Sequence, residues 1–244
     1  MAAMAAVSNL AQANRLLAAL PFPQRNALLA DCALEELRPG TLPLSAGEAM
    51  AQAWFPVEGY VSLMLPLAEA PPLALGLVGR EGWFNASLAW AAGDSAVDCR
   101  TLGAGRAFRI EAAALQQHLQ QLPALRAVLQ GYADVRHRQL AQQAACLKHH
   151  SVAQRLARWL LMTRDRAQAS ELFLTHDALA QLLGARRESV TQAARQLQLR
   201  GHISYSRGYM MLLDAEALEA TACPCYGIDR HTYASWWSRV AAQD

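Results

Sequence analysis

The chain has 244 residues, of which 53% are hydrophobic and 17% are charged, and its formal net charge is +2 at neutral pH. This length and apolar content are typical of a soluble globular protein with two domains of ordinary size. The five cysteines are spread between positions 32 and 225. That spacing excludes the dense disulfide framework of a small secreted protein, so we expect reduced thiols.

The N-terminal stretch MAAMAAVSNLAQANRLLAAL is rich in alanine but has no basic region before its apolar residues. Asn9, Gln12 and Arg15 interrupt any longer apolar run. The stretch therefore fits neither a signal peptide nor a membrane-spanning helix. We expect a cytoplasmic protein without a membrane partner.

A β-like pattern extends from about residue 40 to 110. Pro56 and Gly59 separate apolar runs in AWFPVEGYVSLMLPL, Gly79 ends PPLALGLVG, and the residues of GAGRAFRIE alternate. Several short strands of this kind predict a barrel or a sandwich. Trp54, Trp83 and Trp90 are candidates for lining an effector pocket in it, with core packing as the alternative.

Apolar residues then recur at helical spacing and predict a helix from about 122 to 148. They are Leu125, Val128, Tyr132 and Val135, followed after a slip of one residue by Leu140, Ala144 and Leu147. A helix of this length suits a connector that pairs with its twin, so we expect a homodimer. The alternative is an ordinary helix that packs against its own domain.

Two helices joined by a glycine are predicted in LTHDALAQLLGARRESVTQAARQLQLRG. Thr175 is the expected N-cap of the first helix, and Gly184 ends it. The second helix is predicted over 187–199, with polar and apolar residues on opposite arcs. The apolar arc contains Val190, Ala193, Ala194 and Leu197, and the polar arc contains Arg187, Glu188, Thr191, Gln192 and Arg195.

The polar arc has the residue types that a reader of the DNA major groove needs. Arginine can bond bidentately to guanine, glutamate can accept from cytosine, glutamine can bond adenine, and threonine can contact a thymine methyl group. After this helix, HISYSRGYMMLLD predicts a β-hairpin around Ser206-Arg207-Gly208, which we call the wing. Between residues 186 and 207, five arginines and one glutamate give a local charge of +4. That charge suits an anionic partner.

Helix, glycine turn, amphipathic helix and hairpin come in the order of a winged helix-turn-helix that binds double-stranded DNA. The alternative is a solvated helix whose charges only maintain solubility. We expect base contacts from Arg187, Glu188, Thr191 and Gln192. We expect phosphate contacts from Thr175, Arg186, Ser189, Arg195 and Arg207.

Over nearly its whole length, the sequence resembles the Crp/Fnr family of bacterial transcription regulators. The resemblance is carried by HHSVAQRLARWLLMTRDR, by the segment from LTHDALAQLLG to GYMMLLD, by ACPCY, and by FPVEGYVSLML and LVGREGWFNASLAW. It implies an α+β fold with an N-terminal jelly-roll β-barrel of the cyclic-nucleotide-binding type over 1–121. A dimerisation helix and hinge over 122–150 and a winged helix-turn-helix domain over 151–244 would follow. It also implies a homodimer that reads a palindromic operator and contacts RNA polymerase.

The chain departs from the family pattern at two functional places. Thr191 and Gln192 stand where family members usually have a Ser/Gly-Arg pair, which leaves the base preference at that step open. Members that bind cyclic AMP have a Gly-Glu-Leu turn and a later arginine that pairs with the phosphate. Here the turn reads Gly82-Trp83-Phe84, and the later stretch reads Asp94-Ser95-Ala96-Val97-Asp98.

Carboxylates beside a phosphate weaken its binding, so we expect no tight binding of cyclic AMP. A weak effector pocket is expected at Gly82, Trp83 and Arg100, for an effector whose identity is open. The iron–sulfur members use a cluster of N-terminal cysteines, whereas Cys32 is alone before Cys99. We therefore expect no cofactor.

Two groups of metal-ligating residue types lie near the predicted DNA-binding domain. Cys223 and Cys225 are separated by one residue, less than in common zinc sites, so we interpret them as structural thiols beneath the wing. Cys146, His149 and His150 would share a helix face that could hold a metal or haem iron. Without a fourth ligand in view, we interpret them as a hydrogen-bonded hinge and expect no metal.

No serine-histidine-aspartate order, phosphate-binding loop or carboxylate pair in the sequence supports catalysis, so we do not expect an enzyme. Two alternatives to an effector-gated regulator stay open. One is a ligand-independent regulator whose barrel is a scaffold for dimerisation and polymerase contact. The other is a sensor that acts through protein partners rather than DNA.

Overall fold

A computed structural model of the chain describes residues 7, 9–85 and 93–241. The described helices are α1 (Arg15–Ala18), α2 (Phe22–Ala30), α3 (Ala112–Gln121), α4 (Pro123–His149), α5 (Val152–Ala167), α6 (His176–Leu183), α7 (Arg187–Leu199), α8 (Ala215–Thr221) and α9 (Cys225–Ala241). The described strands are β1 (Cys32–Leu37), β2 (Gln52–Pro56), β3 (Tyr60–Leu65), β4 (Leu73–Val78), β5 (Asp98–Gly103), β6 (Gly105–Glu111), β7 (Glu171–Phe173), β8 (Ile203–Ser206) and β9 (Tyr209–Leu212). No helix in these ranges is long and apolar enough to span a bilayer.

The chain separates into two compact units. The first is formed by Met1–Leu63, Leu77–His137 and Ser235–Asp244, and the second by Met64–Gly76 and Arg138–Ala234. The residues of α4 and of α9 are therefore shared between the units. The predicted α+β class is confirmed, with sheets in the N-terminal part and a helix-turn-helix in the C-terminal part.

Strands of the N-terminal part form two three-stranded sheets, in the orders β1-β6-β2 and β4-β3-β5. β6 pairs antiparallel with both neighbours, from Cys32 opposite Ile110 on one side to Pro56 opposite Ala107 on the other. Sequence analysis placed the start of the β pattern at about residue 40 and missed β1. Only Leu37 of that edge strand is buried, so its sequence, CALEEL, carries no apolar alternation.

The predicted long helix is confirmed as α4, which has 27 residues. Its first apolar residues, Leu125, Val128, Tyr132 and Val135, are at most 5% exposed within the single chain. These four side chains are therefore covered by other parts of the same chain, and a dimer formed through α4 stays a prediction. Leu140, from the second half of the stripe, is 38% exposed.

Gly131 allows the ring of Trp236 to lie close to the backbone of α4. A Cβ atom at this position would lie 2.2 Å from Nε1 of Trp236, and the Trp236 ring also lies against Tyr132, with 6.2 Å between ring centroids. A residue with any side chain would collide with the indole ring, which explains the glycine in the middle of a helix.

The second unit begins its helix-turn-helix part with α5, which starts in a capping box. The hydroxyl of Ser151 accepts from the N–H of Gln154 (3.3 Å), and Oε1 of Gln154 accepts from the N–H of Ser151 (3.1 Å). The predicted hairpin is confirmed as β8 and β9, but the sheet has a third strand, in the order β7-β9-β8. Sequence analysis missed β7 because three residues are too few to show a period.

A buried ion pair joins distant parts of the second unit. Nη2 of Arg158 lies 2.6 Å from Oδ2 of Asp229, and the two side chains are only 4% and 7% exposed. Nη1 of Arg158 donates to Oε1 of Gln143 (2.6 Å), so α4, α5 and α9 share one network. Breaking such a pair is costly because one charge stays buried without its partner.

We therefore predict that Asp229→Ala lowers the free energy of unfolding by about 3–5 kcal/mol, since the Arg158 charge loses its buried counterion. Urea unfolding of the purified chain measures this change. Glu219→Ala is the matched control, because its carboxylate pairs with Arg230 at the surface, where the side chains are 45% and 58% exposed. The control should lose less than about 1 kcal/mol. Equal losses in the two variants would contradict the structural role of the buried pair.

Candidate nucleic-acid interface

The orientation of α7 follows from its buried face. Val190, Ala193, Ala194 and Leu197 are at most 4% exposed, as the apolar arc predicted. They lie in the helix that packs against α5, α6 and β8. Because the apolar arc faces these elements, the opposite arc of α7 faces outward.

Both ends of α6, the helix before the turn to α7, are defined by local contacts. The hydroxyl of Thr175 accepts from the N–H of Ala178 (3.1 Å), which confirms the predicted N-cap. Gly184 ends the helix with φ +55°, a left-handed conformation that glycine adopts without strain, as predicted. From α5, Nη1 of Arg155 donates to the carbonyl of Leu183 (2.6 Å), which ties the C-terminal end of α6 to α5.

The four predicted base-reading residues are all exposed on one side of α7. Arg187 and Glu188 lie in its first turn, and Thr191 and Gln192 lie about one turn further on. Nε of Arg187 lies 3.3 Å from Oδ1 of Asp177 in α6, and both side chains are 64% exposed. An ion pair so exposed contributes little, so Arg187 can exchange it for another partner at low cost.

His176 lies beside this face and was not found by sequence analysis. Its Nδ1 is 3.0 Å from Oγ1 of Thr191, and its ring stacks on Tyr205 of β8 with 4.3 Å between centroids. Burial lowers the pKa of His176, and the charge of Arg187 lowers it further, against an opposing effect of Asp177. Sequence patterns could not reveal this role, because Thr191 and Tyr205 are distant along the chain.

The predicted phosphate contacts surround the exposed arc. Arg186, Arg195 and Arg207 are exposed, whereas Ser189 and Thr175 are half-buried. Arg186 is the N-cap residue of α7 but makes no side-chain cap, so the first N–H groups of the helix stay available to an anion.

The wing tip holds Arg207 in a constrained turn. Arg207 has φ +50° and Gly208 has φ +88°, the pair of left-handed residues that a tight two-residue hairpin requires. The carbonyl of Gly208 accepts from the N–H of Leu174 (2.8 Å), which joins the turn to the segment after β7. The Arg207 side chain is thus exposed at the end of a fixed hairpin.

This part of the chain matches a known family. Residues 154–221 match the family model of the Crp-like helix-turn-helix domain. These residues are called the Crp-like domain below. A search of the curated proteins by sequence gave no match.

Solved structures share the fold over most of the chain. The c-di-GMP responsive global regulator CLP of Xanthomonas campestris is 20% identical, with a TM-score of 0.67 over 79% of this chain and 99% of that one. FixK2 of Bradyrhizobium japonicum is 15% identical, with a TM-score of 0.67 over 79% and 98% of the two chains. A CRP-family transcriptional regulator of Thermus thermophilus is 21% identical, with a TM-score of 0.65 over 77% and 96%.

These likenesses establish the fold, and together with the Crp-like domain they confirm the resemblance to the Crp/Fnr family. The chain shares the fold of these regulators. At 21% identity or less, the three likenesses do not extend to an effector, an operator or an assembly.

The residues predicted for an effector pocket are found in packed surroundings. A Cβ atom at Gly82 would lie 2.0 Å from the hydroxyl oxygen of Tyr132, so the backbone here packs against α4. Trp83 is 1% exposed and stacks on Phe55, with 5.6 Å between centroids. Arg100 is half-buried in β5. Core packing thus accounts for Trp83, and the effector pocket stays a prediction.

Trp54 and Trp90 are the other two tryptophans predicted as candidates for the effector pocket. Trp54 is 9% exposed and stacks on Phe84, with 5.8 Å between centroids, which is again core packing. Trp90 lies outside the described residues. In the acidic stretch, Oδ1 of Asp98 accepts from the N–H of Ala46 (2.8 Å), so this carboxylate fixes a loop.

The second unit also brings together the two groups of metal-ligating residues that the sequence presented separately. Cys146, His150, Cys223 and Cys225 place their ligand atoms within 4.8 Å of one another. His149, the third member of the first group, is exposed. Sequence analysis could not join the groups, because 77 residues separate Cys146 from Cys223.

His176 predicts a pH dependence of the stability of the Crp-like domain. Its folded-state pKa is lowered, so the unfolded chain binds the proton first as the pH falls. Stability is therefore complete above the unfolded pKa of about 6.5 and decreases as the pH falls through the folded value. Between about pH 7.5 and pH 5, His176→Gln should lose less unfolding free energy than the wild type in urea unfolding experiments.

His137→Gln is the control, since His137 is an exposed histidine of the other unit. The free energy of unfolding of this variant should keep the pH dependence of the wild type. The interpretation of His176 fails if both variants lose stability with acidification as the wild type does.

Proposed function

We propose that this protein is a homodimeric DNA-binding transcription regulator that reads a palindromic operator with α7. One observation carries the proposal: the apolar arc of α7 is buried, and Arg187, Glu188, Thr191 and Gln192 are therefore exposed together on its outer side. In a helix-turn-helix the second helix enters the major groove, and α7 occupies that position in the Crp-like domain. In this proposal, residues 1–121 sense, 122–150 connect and dimerise, and 151–244 bind DNA.

The chemistry of the exposed arc supports direct reading of base edges. The guanidinium of Arg187 can donate two hydrogen bonds to O6 and N7 of a guanine, and the carboxylate of Glu188 can accept from the amino group of a cytosine. Gln192 offers an acceptor and a donor that match N6 and N7 of adenine. The methyl group of Thr191 can contact a thymine, while its hydroxyl stays bonded to His176.

Phosphate contacts would fix the register of α7 in the groove. Arg186 and Ser189 lie at the N-terminal end of α7, where free N–H groups and the helix dipole favour an anion. Arg195 lies on the outward arc, and Arg207 lies at the wing tip. The Thr175 hydroxyl accepts a capping hydrogen bond and can still donate its proton to a phosphate oxygen.

Two-fold symmetry of the protein would match two-fold symmetry of the operator. The recognition helices of a dimer would then lie about 34–36 Å apart, one turn of DNA. On α4, Leu140 and Ala144 are exposed and stay available to a second copy, whereas the first half of the apolar stripe is buried within the chain. A dimer built on α4 would therefore use its C-terminal half.

Binding of cyclic AMP is not part of this proposal. Asp94 is exposed and Asp98 is half-buried in the stretch where cyclic-AMP-binding members have an arginine, and their charge would repel a cyclic phosphate. An effector of other chemistry, or a barrel that binds none, fits the same fold. RNA polymerase is the expected protein partner whether or not the barrel binds an effector.

One observation favours a function through protein partners instead. Phe173, Tyr209 and Met211 are 64%, 54% and 43% exposed on strands β7 and β9, and the first two rings are in edge contact. Such apolar groups on a sheet surface are typical of protein contact sites. If the domain acts only in this way, its interaction with duplex DNA is weak and insensitive to salt, because phosphate binding must weaken as salt rises.

Arg187→Ala tests the base-reading role. Loss of a bidentate contact should cost about 1–3 kcal/mol of binding free energy and relax specificity at one position of each half-site. Fluorescence anisotropy with operator duplexes substituted at single positions measures both. Arg200→Ala removes an equal charge at the other end of α7 and should leave the base preference unchanged. An Arg187→Ala protein with wild-type affinity and preference would remove Arg187 from the reading role.

Arg207→Ala tests the phosphate role of the wing. It should weaken binding to all duplexes by a similar factor and reduce the slope of log K against log salt by about 1 for each protomer. The same anisotropy titrations at several salt concentrations give this slope. A change confined to one operator sequence, with the slope intact, would mean that Arg207 reads bases or DNA shape.

A further inference from the structure

Four potential metal ligands converge in the second unit. Sγ of Cys146 lies 3.5 Å from Sγ of Cys223, and Sγ of Cys225 lies 3.4 Å from Nδ1 of His150. All four ligand atoms lie within 4.8 Å of one another. The three cysteines are at most 2% exposed and pack together, while His150 is half-buried.

These distances match those in a tetrahedral zinc site. Zinc binds thiolate sulfur at about 2.3 Å and histidine nitrogen at about 2.0–2.1 Å, which places neighbouring ligands about 3.4–3.8 Å apart. The Cys146–Cys223 and Cys225–His150 contacts already lie in this range, and shifts of about 1 Å or less would bring the remaining atoms there. Three sulfurs and one imidazole are a donor set that selects zinc among the common divalent ions.

We propose that Cys146, His150, Cys223 and Cys225 form a structural zinc site. All four positions of the tetrahedron are filled by the protein, so no position is open for water or substrate, and the site is not catalytic. This proposal departs from the expectation that Cys223 and Cys225 are only packing thiols and that the chain binds no metal. It does not depend on the proposed function.

Zinc binds the thiolate form of cysteine, so zinc binding would displace the thiol protons of Cys146, Cys223 and Cys225.

Groups around the ligands fit the charge of the complex. Three thiolates, one neutral imidazole and Zn²⁺ together carry one negative charge. Arg158 interacts electrostatically with Cys146 and Cys223, and Nε2 of Gln142 donates to Sγ of Cys225 (2.9 Å). N–H donors of this kind orient thiolate ligands and offset their charge.

The site would join segments that are far apart in sequence. Cys146 lies in the last turn of α4, His150 precedes α5, and Cys223 and Cys225 lie between α8 and the start of α9. Zinc would join the C-terminal end of α4 to the segment between α8 and α9 in the second unit. A structural zinc contributes folding free energy directly, because the unfolded chain has no preformed site.

Metal content and cobalt binding test this proposal on the full chain. We expect one zinc per chain by elemental analysis and by native mass spectrometry of protein purified under reducing conditions. After zinc removal, reduced protein titrated with Co²⁺ should develop the visible and sulfur charge-transfer bands of a tetrahedral thiolate site, saturating at one ion per chain. A chelator should lower the thermal midpoint of the wild type.

Variants with matched controls identify the ligands. Cys225→Ser and His150→Ala should weaken Co²⁺ binding by more than the roughly 10- to 100-fold expected for loss of an outer partner. Cys32→Ser and His149→Ala change a cysteine outside the cluster and an exposed neighbouring histidine, and both should bind as the wild type does. Half-buried His150 can be replaced with less risk to folding than a buried cysteine.

Three results would overturn the proposal. The first is a reduced wild-type protein that contains no zinc and gives no tetrahedral Co²⁺ spectrum. The second is unchanged Co²⁺ affinity in both Cys225→Ser and His150→Ala. The third is a stable disulfide between Cys146 and Cys223 together with failure of the reduced protein to bind either ion, which would make the cluster a redox pair.

Discussion

The burial of one side of α7 is the interaction on which the DNA-binding account depends. Val190 and Leu197 each contribute about 1.5–3 kcal/mol when removed from water, and the alanines between them allow α7 to lie close to α5 and α6. This burial fixes the rotation of the helix about its axis. Arg187, Glu188, Thr191 and Gln192 are exposed together for that reason and not because of any contact among themselves.

Polar contacts made by two arginines of α5 hold the helices around α7 in place. Arg155 binds the carbonyl of Leu183 at the end of α6, and Arg158 holds Asp229 and Gln143 in the buried network. Two arginines one turn apart on α5 thus secure the turn before α7 and the ends of α4 and α9. Arg158 also interacts electrostatically with Cys146 and Cys223, so the ion-pair network and the cysteine cluster lie in the same part of the second unit.

The sequence predicted the helix-turn-helix well because its signals are local. The N-cap Thr175, the terminating Gly184, the arcs of α7 and the turn at Arg207 and Gly208 each depend on residues a few positions apart. The long helix was also predicted from its period. Its period could not indicate what covers each face. The apolar residues Leu125, Val128, Tyr132 and Val135 are covered by their own chain.

The missed features depend on contacts between distant residues or on segments too short to show a pattern. Strand β7 has three residues, and β1 has a single buried side chain. The contact of His176 with Tyr205 joins the first residue of α6 to β8, which are distant along the chain. The cysteine cluster joins residues that the sequence presented as two incomplete sets, each short of the ligands that a zinc ion needs.

Selection of bound sequences from random duplex DNA tests the central claim most directly. The wild-type protein without added effector and an Arg187→Ala, Glu188→Ala double variant would be compared at two salt concentrations. The account predicts that the wild type enriches a palindrome with half-sites about one helical turn apart and that the double variant loses this motif while still retaining DNA at low salt. Enrichment of the same motif by both proteins would contradict reading by the exposed face of α7.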